Sequence, residues 1–381
     1  MDASVRDRRE PAALRSETPR TWLLLGHKQG DNGQVLALAE ALGWPFEIKR
    51  IVYRPWELVT NRLVGVTLLG IDRRRSSPLE PPWPELVITA GRRNEPVARW
   101  IQARAGGRGR VRLVHVGRPW ASTDVFDLIV TTPQYALPGR PNILHNEAPM
   151  HRVAPERLVA EGAKWAPRLV HLPRPWTAVL LGGHIPPYTF DREAGTALGR
   201  LLAATARRDG GSLLISTSAR TPAKVVDALA AELDVPHLLY RWRRDDPDNP
   251  YFGFLALAER IVVTSDSMSM LIEAVASGKP VFIFDLATGP GSMRPATDRD
   301  ERPPTRRRLR QTLSLRSIAF HLGRWLGPRQ LLRDVGAIHR AQVAAGRAVW
   351  LGQPWPETRR VEPLEDTQRA ADRVRALFRR P

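Results

Sequence analysis

Short apolar runs alternate with segments of helical period along most of this chain. Thr21–Leu25 is an apolar run closing on Gly26, followed by a polar loop over residues 27–33. Val35, Leu36, Leu38, Ala39 and Leu42 then recur at helical spacing. This reads as strand, loop and helix, with Asp31 or Asn32 placed to cap the helix. Further strands are expected at 46–52, 86–89, 111–117, 127–131 and 142–145, a helix at 95–105, and an amphipathic helix or interdomain surface at 56–69. After residues 153–175, which carry four prolines, the pattern restarts. Strands are expected at 176–181, 212–216, 237–240, 261–265 and 280–285, and helices at 192–207, 222–232, 251–258 and 268–277. Such alternation predicts an α/β protein with a parallel, doubly wound sheet in each half.

A short internal echo agrees with two similar halves. The stretch Ile88-Thr89-Ala90-Gly91-Arg92-Arg93-Asn94-Glu95-Pro96 and the stretch Ile215-Ser216-Thr217-Ser218-Ala219-Arg220-Thr221-Pro222 both run strand, small-residue loop, Arg, Pro and helix. Pro suits a first helical turn, where its missing N–H has no partner to lose. The expected organisation is a disordered leader (1–20), an N-terminal Rossmann-like domain (21–152), a linker (153–175) with room for a short helix in its middle, a C-terminal Rossmann-like domain (176–287), a loop (288–305) and a basic helical C-terminal region (306–381). The two domains are expected to face each other across a cleft.

Composition changes this picture in one respect. The chain has 58 Lys plus Arg against 39 Asp plus Glu, a formal charge of +19, and only five of the cations are Lys. Such a balance suits phosphorylated ligands, an anionic membrane surface or nucleic acid. A GC-rich genome is the plain alternative, because the Arg residues are scattered. No aromatic platform or recognition module supports specific nucleic-acid binding. With no Cys, disulfides, thiolate catalysis and Cys-based metal sites are excluded. The His spacing gives no metal motif, so no metal or other cofactor is expected. The leader lacks an apolar core, and the apolar run at 63–71 is far shorter than the roughly 20 residues a span needs. A cytoplasmic protein is expected. The C-terminal Arg-rich amphipathic segments either pack on the body or meet the inner face of a membrane.

Ligands of open α/β sheets sit beyond the carboxyl ends of strands, which selects five loops. In the strongest, Ser265, Asp266, Ser267, Met268 and Ser269 open a helix, where unpaired N–H groups attract phosphate. Glu273 follows within reach of ribose hydroxyls; the plain alternative is helix capping. Gly182 and Gly183 allow close backbone approach. The loop at 26–33 follows neither a dinucleotide nor a Walker pattern, but it holds His27 and Asp31, candidate general bases. Arg92 and Arg93 on one side, and Arg220 with Ser216 on the other, suit a phosphate clamp. Asn32, and His151 at the exit of the first domain, are weaker cleft candidates.

Several of these segments, from Gly30-Asp31-Asn32-Gly33-Gln34 and Thr89-Ala90-Gly91-Arg92-Arg93 through His151-Arg152-Val153, Leu181-Gly182-Gly183 and Asp248-Asn249-Pro250-Tyr251 to Thr264-Ser265-Asp266-Ser267-Met268-Ser269-Met270 and Gly278-Lys279-Pro280, resemble in order the mitochondrial fission ELM-type family. The resemblance implies a bacterial member of a family whose plant members recruit a dynamin-related GTPase to dividing organelles. That family is similar in outline to GT-B glycosyltransferases. The resemblance therefore implies a GT-B-like fold, with Ser267, Ser269 and Glu273 on the diphosphate and ribose of a nucleotide-sugar. Transfer to a cell-envelope acceptor is one expectation; a non-catalytic adaptor at a membrane, with an unidentified protein partner, is the other.

Overall fold

The computed structural model describes residues 18–54, 66–184, 189–286, 292–294, 334, 336–356 and 362–379. The first half runs β1 (Thr21–Leu25), α1 (Gln29–Leu42), β2 (Phe46–Arg50), β3 (Leu86–Ala90), α2 (Glu95–Arg104), β4 (Arg112–Val116), β5 (Leu128–Thr131) and β6 (Ile143–His145). These strands form a six-stranded sheet in the order β2-β1-β3-β4-β5-β6, with every pairing parallel. β1 and β3 are buried along their whole length, as a sheet covered on both faces requires. α1 covers one face with Val35, Leu38 and Leu42. α2 covers the other with Val97, Ala98 and Ile101.

The second half runs β7 (Trp176–Leu181), α4 (Arg192–Asp209), β8 (Ser212–Thr217), α5 (Ala223–Ala230), β9 (His237–Tyr240), α6 (Tyr251–Leu257), β10 (Arg260–Thr264), α7 (Met268–Ala276) and β11 (Val281–Phe284), preceded by α3 (Pro155–Leu169). Its sheet is also six-stranded and parallel, ordered β12-β11-β10-β7-β8-β9. α4 and α5 lie on one face, while α6 and α7 lie on the other. The expected fold class, two Rossmann-like units, is the observed one.

Four expectations need correction. Neither Asp31 nor Asn32 caps α1: the helix begins at Gln29 with Lys28 at the cap position, because Asn32 is used to brace the preceding loop. Within the expected helix at 56–69, residues 66–69 form bends and turns, and 55–65 lie outside the described residues. The proline-bearing stretch after the first sheet holds α3, with Pro155 in its first turn, where Pro is tolerated. Residues 330–351 are not helical throughout: α8 (Gly336–Ala344) is followed by β12 (Val349–Trp350), a sixth strand beside β11. The leader at 1–17 and the expected helix at 306–325 lie outside the described residues, as does most of the loop at 288–305.

The chain then returns to the first half. α9 (Asp366–Ala376) buries Ala370, Ala371 and Val374 in the core that α1 lines. Asp366 accepts the backbone N–H groups of Glu147 (2.9 Å) and Ala148 (3.0 Å). A small apolar cluster of Ala148, Met268, Ile272 and Ile338 ties the two halves together. Met268, expected to face a donor, is thereby committed to the junction.

Candidate functional site

Each sheet has one topological switch point, where the loops of adjacent strands diverge to opposite faces and leave a crevice. In the first sheet it lies between β1 and β3, and in the second between β7 and β10. Four of the five expected site loops follow these strands; the fifth, with Ser216 and Arg220, follows β8, beside β7.

At the first switch point, Gly26, His27, Lys28, Asp31, Asn32, Tyr53, Ala90, Gly91, Arg92, Arg93 and Asn94 line a pocket of about 60 Å³. A single water needs only about 10–15 Å³ of such space, so the pocket has room for a small polar group. Two of the lining amides are already engaged. Asn32 accepts from Gly26 N–H (3.0 Å) and donates back to Gly26 C=O (2.9 Å). Asn94 donates to the carbonyls of Leu24 (2.9 Å) and Ala90 (3.0 Å) and accepts from Tyr53 Oη. The Asp31 carboxylate presses on Gly91, where a Cβ would lie 2.9 Å from Oδ2. Gly91 also has φ +74°, a left-handed backbone that favours glycine.

His27 is held below its ordinary pKa, first by burial, then by Arg93 and Lys28, with Asp31 opposing. It is therefore neutral at pH 7. Arg93 Nη1 lies 3.5 Å from His27 Nδ1. Because guanidinium only donates, Nδ1 is the acceptor in that contact and Nε2 carries the proton. His27 thus offers a donor, and Asp31 is the better placed proton acceptor. Arg92 lies 4.6 Å over the Trp120 ring, and Arg93 lies 5.9 Å from the centre of Tyr53.

Trp120 is itself anchored by a residue that sequence reasoning missed. Glu95, 3% exposed, accepts from the N–H groups of Trp120 (2.8 Å) and Ala121 (2.9 Å). Burial pushes its carboxyl up to about 7 against those two hydrogen bonds and Arg99 and Arg92. His115 Nε2 lies 4.0 Å away, fully buried, and burial holds it neutral with a pKa of about 3.

The second switch point is built differently. Asp266, 1% exposed, accepts from Gly183 N–H (2.5 Å), Thr264 Oγ1 (2.7 Å) and Arg220 Nη2 (3.3 Å). Burial raises its carboxyl to about 6, although Gly183, Thr264 and Arg220 all favour the charged form. Gly182 N–H donates to Thr264 Oγ1 (2.8 Å), and Ser265 Oγ accepts from Leu286 N–H (3.0 Å). Thr221 Oγ1 donates toward the carbonyls of Leu181 and Gly182. A Cβ on Gly182 would meet Asp266 Oδ2 at 2.1 Å, and one on Gly183 would meet the Arg220 carbonyl at 2.3 Å. The paired glycines are thus required by the protein's own packing.

What remains open on this side is the helix start itself. Ser267 caps α7 by accepting from Met270 N–H (3.5 Å). Ser269 and Glu273 are half-buried. Glu273 accepts from Tyr251 Oη at 2.5 Å, and burial raises its pKa against the pull of Tyr251, Arg157 and Arg152. A Cβ on Gly30 would lie 3.2 Å from Ser269 Oγ, so the first turns of α1 and α7 abut across the cleft. Ser216 is buried at the end of β8, with no hydrogen bond to its hydroxyl. His151 is not part of the first pocket; its N–H donates to Thr367 Oγ1 beside α9.

Residues 29–299, well over half of the chain, match the family described as mitochondrial fission ELM1. The chain belongs to that family. The Rickettsia prowazekii (strain Madrid E) protein RP120 is 25% identical over 69% of this chain and 82% of its own length. The Arabidopsis thaliana mitochondrial fission protein ELM1 is 27% identical over 56% of this chain and 54% of the plant protein, so the match spans about half of that relative. Among solved structures, a glycosyltransferase from Rickettsia africae ESF-5 superposes with a TM-score of 0.43 at 12% identity, covering 96% of this chain and 100% of that one. This ELM1-family chain has an architecture of two Rossmann-like units, each built on a six-stranded parallel sheet. Among its described residues no helix is long and apolar enough to cross a membrane.

Proposed function

We propose that the cleft between the two switch points binds a nucleotide-sugar, with the diphosphate lying beside the point where the first turns of α1 and α7 meet. The observation that carries this reading is the close approach of the two helix starts, where a Cβ on Gly30 would lie 3.2 Å from Ser269 Oγ. Two helix N-termini carry partial positive charge and repel when brought together, and an anion beside both relieves that repulsion. Lys28 adds a full cation at the start of α1. Glu273, anchored by Tyr251, supplies an acceptor for sugar or ribose hydroxyls.

In the enzyme form of this proposal, a hydroxyl held in the first pocket attacks the anomeric carbon. The new carbon–oxygen bond forms as the bond to the diphosphate oxygen breaks. The electron pair leaves with the nucleoside diphosphate, and the hydroxyl proton passes to Asp31. The developing charge on the leaving group is met by the α7 start.

One observation favours a second reading, a partner-recruiting adaptor that keeps the fold: Ser265, Asp266 and Thr264 are spent on the protein's own hydrogen bonds. Uridine diphosphate is the discriminating probe. The nucleotide reading predicts a rise in melting temperature that Glu273→Gln removes. An absence of any shift with uridine, guanosine or adenosine diphosphates would leave the adaptor.

A further inference from the structure

The first pocket is chemically unlike a neutral sugar site. Lys28, Arg92 and Arg93 line it against a single carboxylate, Asp31, and the amides of Asn32 and Asn94 are already paired within the fold. The cations are positioned, not merely present. Arg92 rests on Trp120, whose backbone is fixed by buried Glu95. Arg93 is held between Tyr53 and His27. A guanidinium held over an aromatic ring keeps its charge in place at the pocket wall, and guanidinium groups match phosphate oxygens. The start of α1 adds backbone N–H groups from the same side.

We infer that this pocket is a phosphate subsite, and that the acceptor used in the cleft is a phosphomonoester whose reacting hydroxyl lies beside Asp31. The inference rests on the cleft reading above for the word acceptor, but the phosphate site stands on the pocket alone. At neutral pH a phosphomonoester carries a charge near −2. Three cations and a helix start neutralise that charge, while Asp31 is left to take a proton. The pocket brings Asp31 and the three cations to one opening on the cleft, so the phosphate and the reacting hydroxyl of one acceptor reach them together.

The test is phosphorus NMR titration of inorganic phosphate into the full-length chain, with and without saturating uridine diphosphate. The expected result is phosphate binding that persists with the nucleotide present. It should weaken at least tenfold in the Arg92→Ala/Arg93→Ala variant, while uridine diphosphate affinity changes less than about threefold. Lys28→Ala, which removes no packed side chain, should weaken phosphate binding in the same direction. Competitive displacement of phosphate by uridine diphosphate, with both ligands equally sensitive to the double variant, would overturn the inference and leave the nucleotide reading intact. Phosphate binding lost in the double variant, in a protein that takes no nucleotide, would support the phosphate site and remove the nucleotide reading. Glycerol 3-phosphate and vesicles containing phosphatidic acid identify the source of the group. Displacement of phosphate by either supports the inference, and displacement by neither overturns it.

Discussion

The two switch points occupy equivalent places in their sheets yet treat their polar groups in opposite ways. Beside β1 and β3, His27, Lys28, Asp31, Arg92 and Arg93 line an open pocket, and Asn32, Asn94 and buried Glu95 brace the backbone around it. Beside β7 and β10, most of the polar set turns inward: Thr264, Ser265, Asp266 and Thr221 tie one loop to the next. One crevice is a set of reactive groups held by a frame, and the other is mostly frame with a single open helix start. A turn rich in Ser and Asp is therefore not evidence of a ligand until its own backbone has been satisfied.

The largest expected effect breaks this contrast at its closed end. Gly183→Ala places a Cβ 2.3 Å from the Arg220 carbonyl, a backbone clash that no rotamer relieves. Urea unfolding should show a loss of about 3 kcal/mol. A loss under 1 kcal/mol would mean the closed switch point has slack.

Next comes pH. Glu95 and Asp266 both bind a proton more tightly folded than unfolded, with values raised from 4.5 to about 7 and from 3.8 to about 6. The stability from each proton is complete below those unfolded values and is lost as pH rises through the folded ones. By about 1.4 kcal/mol per unit, each effect is on the order of 3 kcal/mol. Urea unfolding across pH 4 to 8 should show wild type losing stability relative to Asp266→Asn up to pH 6, and relative to Glu95→Gln up to pH 7. Parallel curves would contradict the burial argument.

A smaller effect sharpens the open end. Trp120→Ala removes the surface that carries Arg92 while every pocket-lining residue keeps its identity. Phosphate affinity should fall about three- to tenfold, with uridine diphosphate affinity unchanged. Smallest of all, Gly33 lies inside α1 with nothing within 4 Å of its missing Cβ. Gly33→Ala should raise stability by roughly 0.5–1 kcal/mol in the same unfolding assay.

Most strands were legible to within a residue or two, because a buried parallel strand is an unbroken apolar run that glycine and polar loops delimit. α3 was obscured by Pro155 and Pro167, though the first sits where a helix accepts it. β12 and α9 were not legible, since their burial depends on β11 and α1 far earlier in the chain. The same reason hid Glu95 and Tyr251: each matters through a partner more than 20 residues away. His27 and Asp31 were found together by their loop, but the Arg93 contact that sets the histidine tautomer depends on β1 and β3 lying side by side.

The central claim is that one diphosphate is held by both helix starts. Calorimetric titration of uridine diphosphate into wild type and Gly30→Val tests it most directly, because Gly30 belongs to the first half and its side-chain space ends at Ser269 of the second. The account predicts binding to wild type and at least tenfold weaker binding to the variant, about 1.4 kcal/mol, with an unchanged melting temperature in the absence of ligand. Equal affinity in the two proteins, or no binding to wild type, would contradict it.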